Sequence, residues 1–195
     1  MQVIFERTGE RRYAVIVAIA GRAVQKMDPA PGFDDHIPHD LVHYVVEAEL
    51  GLAAGVFGRA AGGGGTFIPT VAGGVGGARE RARQQRRQRR RERSLGAADD
   101  ARHGDMITSE RFAALCDVAW RRRHGQRPDP SLWKPTEPLS REDIARVDRV
   151  VARLDDIARV WHELPVGGKL AFTWPGLLPA GGTPGREHRS GEALA

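Results

Sequence analysis

The sequence predicts an α+β fold: a small antiparallel sheet, made from an N-terminal hairpin plus a C-terminal strand, packed on three helices. Three observations carry this. Residues 3–20 hold two apolar runs separated by a glycine-containing turn, the second alternating at period two. Three later segments, beginning near residues 38, 108 and 140, carry apolar side chains at helical spacing. Residues 169–174 return to strand alternation.

In chain order, residues 3–6 form the first expected strand, and Thr8-Gly9-Glu10-Arg11 supplies the turn. Residues 13–20 form the second, with Tyr13, Val15, Val17 and Ile19 on one face. A third short strand is expected over 23–27. The two prolines of Asp28-Pro29-Ala30-Pro31-Gly32 then end regular structure, because proline has no N–H for a ladder. Helix one is expected to start near Pro38, a residue suited to a first turn. Its main stripe is Leu41, Val45, Ala48 and Leu52, with Val42, Val46 and Leu50 beside it, and it fades through Gly51, Gly55 and Gly58.

Residues 61–104 break the pattern with the glycine runs 62–65 and 73–77 and an arginine run. Such a stretch predicts a low-complexity insert, disordered or partly helical, outside the folded body. Helix two is expected from Thr108 as cap, with Ile107 and Phe112 as a hydrophobic staple, and Phe112, Leu115, Cys116, Ala119 and Trp120 inward. Gly125 stops it, and 126–138 is a proline-rich connector. Helix three starts at the Ser140 cap, with Asp143 at the capping-box position and Leu139 and Ile144 as staple. Ile144, Val147, Val151, Leu154, Ile157 or Ala158, and Trp161 follow at helical spacing. The last strand is expected to join the N-terminal sheet. The expected organisation is one domain from 1–60 and 105–178, the insert at 61–104, and a loose tail over 179–195.

A chain of 195 residues can bury a substantial core. Its single cysteine, Cys116, excludes an internal disulfide and suits a reducing compartment. The longest apolar run, 14–20, is too short for a bilayer, and no basic segment precedes a greasy one at the N-terminus. A cytoplasmic protein without membrane contact is the expectation.

The stretch most suggestive of chemistry is Pro38-His39-Asp40-Leu41-Val42-His43-Tyr44-Val45-Val46-Glu47. On a helix, His39, His43 and Glu47 stack at four-residue intervals, a ligand set for a divalent metal such as zinc. The His39-Asp40-Leu41-Val42-His43 pattern resembles the His-Glu-x-x-His signature of zinc metallopeptidases. That resemblance implies His39 and His43 as ligands and Asp40 as general base, with aspartate one methylene shorter than the usual glutamate. Asp117, His124 and His162 are alternative sources of a further ligand, and Asp34-Asp35-His36 adds ligand types upstream. The same residues have an ordinary structural reading. Asp40 suits the helix dipole, His43 and Glu47 form an i,i+4 pair, and their face lies opposite the main stripe, towards solvent.

Charge is concentrated elsewhere. Residues 79–93 hold nine arginines and two glutamates, and removing that +7 from the chain's +5 leaves the rest at −2. Arg86, Arg87, Arg89, Arg90 and Arg91 could contact phosphate backbones weakly and without sequence preference. No aromatics are interleaved, so base stacking has no platform. Arginine outnumbers lysine 27 to 3, a coding bias that accounts for part of the run without any binding role. The glycine runs lack the Gly-Lys-Ser/Thr of a phosphate loop, and Cys116 falls on an inward face. The leading expectation is a binding protein without catalytic activity, meeting another protein through the polar face of helix one or the arginine-rich insert. A metal-dependent hydrolase and a weak nucleic-acid binder are the alternatives.

Overall fold

Alternation in the first eighteen residues becomes a hairpin of β1 (Gln2–Gly9) and β2 (Arg12–Ala18). Val3 faces Val17 and Phe5 faces Val15, four buried apolar side chains on one side of the ladder. The computed structural model describes residues 1–62, 64, 67–69, 100–128 and 138–177. The hairpin is extended on one side by β3 (Gln25–Met27) and then β4 (Ile68–Pro69). On the other side β1 pairs with β5 (Lys169–Thr173), giving an antiparallel sheet of order β4-β3-β2-β1-β5. Leu170 and Phe172 fall opposite Phe5 and Val3, so β5 continues the same buried face. The expected joining of the last strand to the first hairpin is therefore observed.

Helix α1 (His39–Leu50) follows Pro38 and ends at Gly51, whose φ of 67° is the left-handed conformation glycine favours. Every residue from Leu41 to Glu47 is buried. This corrects the expectation of a solvent-facing polar side. The helix has neighbours all round: Tyr44 stacks its ring edge on Phe5 and lies 4.8 Å from Phe172 on the sheet. Three further helices close over the rest. A short α2 (Val56–Ala61) follows the glycine-broken end of α1, and was not expected from the sequence.

Helix α3 (Asp100–Arg123) starts well before the expected cap. Thr108 sits inside it, and Ile107 is 55% exposed, so neither the Thr108 cap nor the Ile107–Phe112 staple forms. A tertiary contact holds the extra turns, since Asp105 Oδ2 accepts the backbone N–H of Ala54 at 2.8 Å. Helix α4 (Arg141–Glu163) begins as expected: the Ser140 hydroxyl accepts the Asp143 N–H at 3.0 Å. Ile144, however, is 47% exposed, while Val147, Val150, Val151, Leu154, Ile157, Ala158 and Trp161 are buried. Trp161 reaches the sheet, its ring edge-on to Tyr13 at 5.9 Å. One core thus runs from the sheet through α1 to α3 and α4.

The expected insert is structured at its margins. Ala61 closes α2, β4 adds an edge to the sheet, and α3 begins at Asp100. Its glycine-and-arginine centre, residues 70–99, lies outside the described residues, as does the tail from 178 onward. Among the described residues no helix is long and apolar enough to cross a membrane.

Candidate metal centre

Among the described residues, one group of His, Cys, Asp and Glu side chains converges tightly enough to hold a metal ion: His39, His43 and Glu110, whose ligand atoms lie within 4.8 Å of one another. His39 and His43 come from successive turns of α1, and their Nε2 atoms are 3.1 Å apart with the rings nearly perpendicular. Glu110 comes from α3 and places Oε2 3.7 Å from His43 Nε2. Donors bound tetrahedrally at zinc distances of about 2.1 Å lie about 3.4 Å apart. The separations from His43 bracket that value, and that between His39 and Glu110 is within 4.8 Å. His43 is buried, whereas His39 and Glu110 are exposed, so the group opens to solvent on one side.

The first turn of α1 is placed by a glycine. At Gly32 the φ of 71° is left-handed, and a Cβ there would come within 2.8 Å of the His39 Cβ. The Gly32 carbonyl accepts the His39 N–H at 3.2 Å. Close approach of this loop fixes where His39 stands.

The two carboxylates read from the sequence take other roles. Asp40 Oδ2 accepts the Tyr13 hydroxyl at 2.6 Å, and that hydroxyl is also 2.6 Å from the Pro31 carbonyl. Burial raises the Asp40 pKa, against the pull of Tyr13 and His39. Asp40 lies outside the converging group. Glu47 points to the start of α2. Its Oε1 accepts Val56 N–H at 2.7 Å and the Ser109 hydroxyl at 2.8 Å, and its Oε2 accepts Phe57 N–H at 2.8 Å and Gly58 N–H at 3.4 Å. Burial raises its pKa too, opposed by those four donors. A Cβ at Gly55 would overlap the Glu47 carboxyl, so glycine is what lets α2 come down on it. The structure thus groups Glu110, rather than Glu47, with His39 and His43. Four-residue spacing identifies a face, but only the tertiary fold decides what that face meets.

Ser109 completes the site from within. Its oxygen lies 3.0 Å from His43 Nδ1, and it is fully buried. Burial first, and the neighbouring His39 second, push the His43 pKa down to about 3, so its imidazole is neutral at physiological pH. Ser109 and Glu110 were not found by sequence reading, which placed them in the first turn of helix two, after the expected Thr108 cap. A signal existed: Ser109, Phe112, Cys116 and Trp120 lie on one continuous stripe of α3, and a serine on an apolar stripe calls for a buried partner.

The other candidate ligands are engaged elsewhere. Asp117 accepts Arg121 Nε at 2.9 Å, His124 Nε2 meets Asp155 at 2.8 Å, and His162 Nδ1 meets the Asp35 carbonyl at 3.1 Å. Asp34 caps its own loop, accepting the N–H groups of His36 and Ile37, and pairs with Arg121 at 3.1 Å. Burial would raise the Asp34 pKa, but those amides and the guanidinium outweigh it and hold it below the ordinary value. A depressed carboxylate stabilises the fold above its unfolded pKa, and that stability is lost as pH falls through the folded value. Asp34→Asn keeps the amide contacts and loses the charge pair. We expect it to lower stability at pH 7 by about 1 kcal/mol. In urea titrations the gap to wild type should close below about pH 4; a gap independent of pH would show that the charge is not responsible.

Comparison with protein-family models, with curated proteins and with solved structures found no match to this chain.

Proposed function

We propose that this protein binds a divalent transition metal of the zinc class, with His39, His43 and Glu110 as its ligands. One observation carries the reading: two imidazole nitrogens and a carboxylate oxygen from two helices converge to within 4.8 Å, His43 Nε2 lying 3.1 Å from His39 and 3.7 Å from Glu110. Without a cation, His43 Nε2 shares a hydrogen bond with His39 Nε2 at 3.1 Å, and an ion would take the place of the shared proton. The ion would tie α1 to α3.

A hydrolytic role is the second reading. Three protein ligands leave a fourth position for water, as in catalytic zinc sites, and the Glu110 side chain is 63% exposed, so a substrate could reach it. The base implied by the metallopeptidase pattern does not favour this reading, because Asp40 is held by Tyr13. Partner binding through the polar face of helix one loses its surface, since His43 and Glu47 are buried there. Nucleic-acid contact through 79–93 rests on charge alone, and those residues lie outside the described structure.

Protein purified without an affinity tag should carry about one equivalent of metal, or take it up on titration. Cobalt-loaded protein should show the visible absorption of a tetrahedral N/O site. His43→Ala should abolish both, and Glu110→Ala should weaken binding at least tenfold. A wild-type chain that is folded and takes up neither zinc nor cobalt would sink the reading.

A further inference from the structure

A ligating histidine is useful to a metal only if the nitrogen facing the ion carries a lone pair, and that depends on where its one ring proton sits. At His43 the proton's place follows from a chain of donors behind it. Glu47 has about four acceptor positions. The amides of Val56, Phe57 and Gly58 occupy three, and the Ser109 hydroxyl occupies the fourth at 2.8 Å. Ser109 has one proton, and it goes to Glu47. Its oxygen can then only accept from His43 Nδ1, 3.0 Å away. His43 is thereby held with N–H at Nδ1 and a lone pair at Nε2, the atom facing His39 and Glu110.

From this geometry we infer that Ser109, with Glu47 behind it, is a positioning residue for the metal: it selects the tautomer of His43 that can ligate. The inference rests on the metal reading above. Ser109 is not a nucleophile in waiting, since it is fully buried and its proton is committed to Glu47. The same chain links the ion to the entry of α2, because the amides that hold Glu47 are the first N–H groups of that helix. Outer partners of ligating histidines commonly change metal affinity by about 10- to 100-fold.

The test combines long-range ¹H–¹⁵N NMR of the metal-free protein with zinc and cobalt titrations of wild type, Ser109→Ala and Ser109→Thr. The expected result is an Nδ1–H tautomer at His43 in wild type, lost in Ser109→Ala. Affinity for either metal should fall at least tenfold in Ser109→Ala and recover in Ser109→Thr, with circular dichroism confirming that each variant is folded. The tautomer in wild type needs no variant, so a Ser109→Ala protein that failed to fold would leave that readout intact. An Nε2–H tautomer in metal-free wild type overturns the proposal. So does Ser109→Ala affinity within threefold of wild type, and in that case the metal reading survives. Failure of wild type to bind either ion removes both.

Discussion

Glu47→Gln is expected to lower the stability of the metal-free protein by about 3 kcal/mol, a fall in midpoint of roughly 6–12 °C. Two effects compete. Burial disfavours the ionised carboxylate, so removing its charge relieves some desolvation. Against this, glutamine offers one oxygen where four donors converge. Its amide nitrogen would face either the Phe57 and Gly58 N–H groups or the Val56 N–H and Ser109 hydroxyl. Each buried N–H left without an acceptor and facing the new amide nitrogen costs about 1–3 kcal/mol, which exceeds the relief. Urea unfolding in the presence of a chelator measures this without any contribution from metal. An unchanged midpoint would mean that the carboxylate does not carry the start of α2.

Trp161→Ala should cost about 3–5 kcal/mol, the range for truncating a fully buried aromatic. Three contacts go at once. The indole packs edge-on against Tyr13, its Nε1–H donates to the Asp34 carbonyl at 3.1 Å, and the Arg7 guanidinium lies 5.8 Å from its ring centre. Since Tyr13 also holds Asp40 and Pro31, loosening Trp161 should spread to the loop before α1. Hydrogen exchange in Trp161→Phe would show it: faster exchange at His36 and Ile37, with the β1–β5 ladder protected as in wild type. Equal protection across the loop would confine Trp161 to core filling.

Sheet and long helices were readable because each buries one face against one neighbour, and period-two or helical spacing records that directly. Val3, Phe5, Val15 and Val17 on the hairpin, and Val147, Val151, Leu154 and Trp161 on α4, are of this kind. Helix α1 was harder. Its middle turns, Leu41 to Glu47, are enclosed, so His43 and Glu47 had to find partners inside the protein, and spacing alone cannot distinguish an enclosed polar side chain from a solvated one. The site was half legible for the same reason. His39 and His43 share a helix and a spacing, whereas Glu110 lies 67 positions beyond His43 and meets it only through packing of α3 on α1. The start of α3 was misplaced because Gly104 and the polar residues before it have no apolar stripe. The Asp105 contact to Ala54 supports those turns, and no local rule anticipates it.

Strand β1 lies inside the sheet, with Phe172 opposite Val3 on one flank and Val17 opposite it on the other. A ribosome delivers residue 3 long before residue 172. At ordinary elongation speeds the hairpin therefore waits on the order of ten seconds or more with one flank bare. During that interval its backbone donors and acceptors are open to any passing strand. Closure of the sheet is therefore a late event, and the most vulnerable moment to misassociation comes while the first hairpin still awaits its last neighbour.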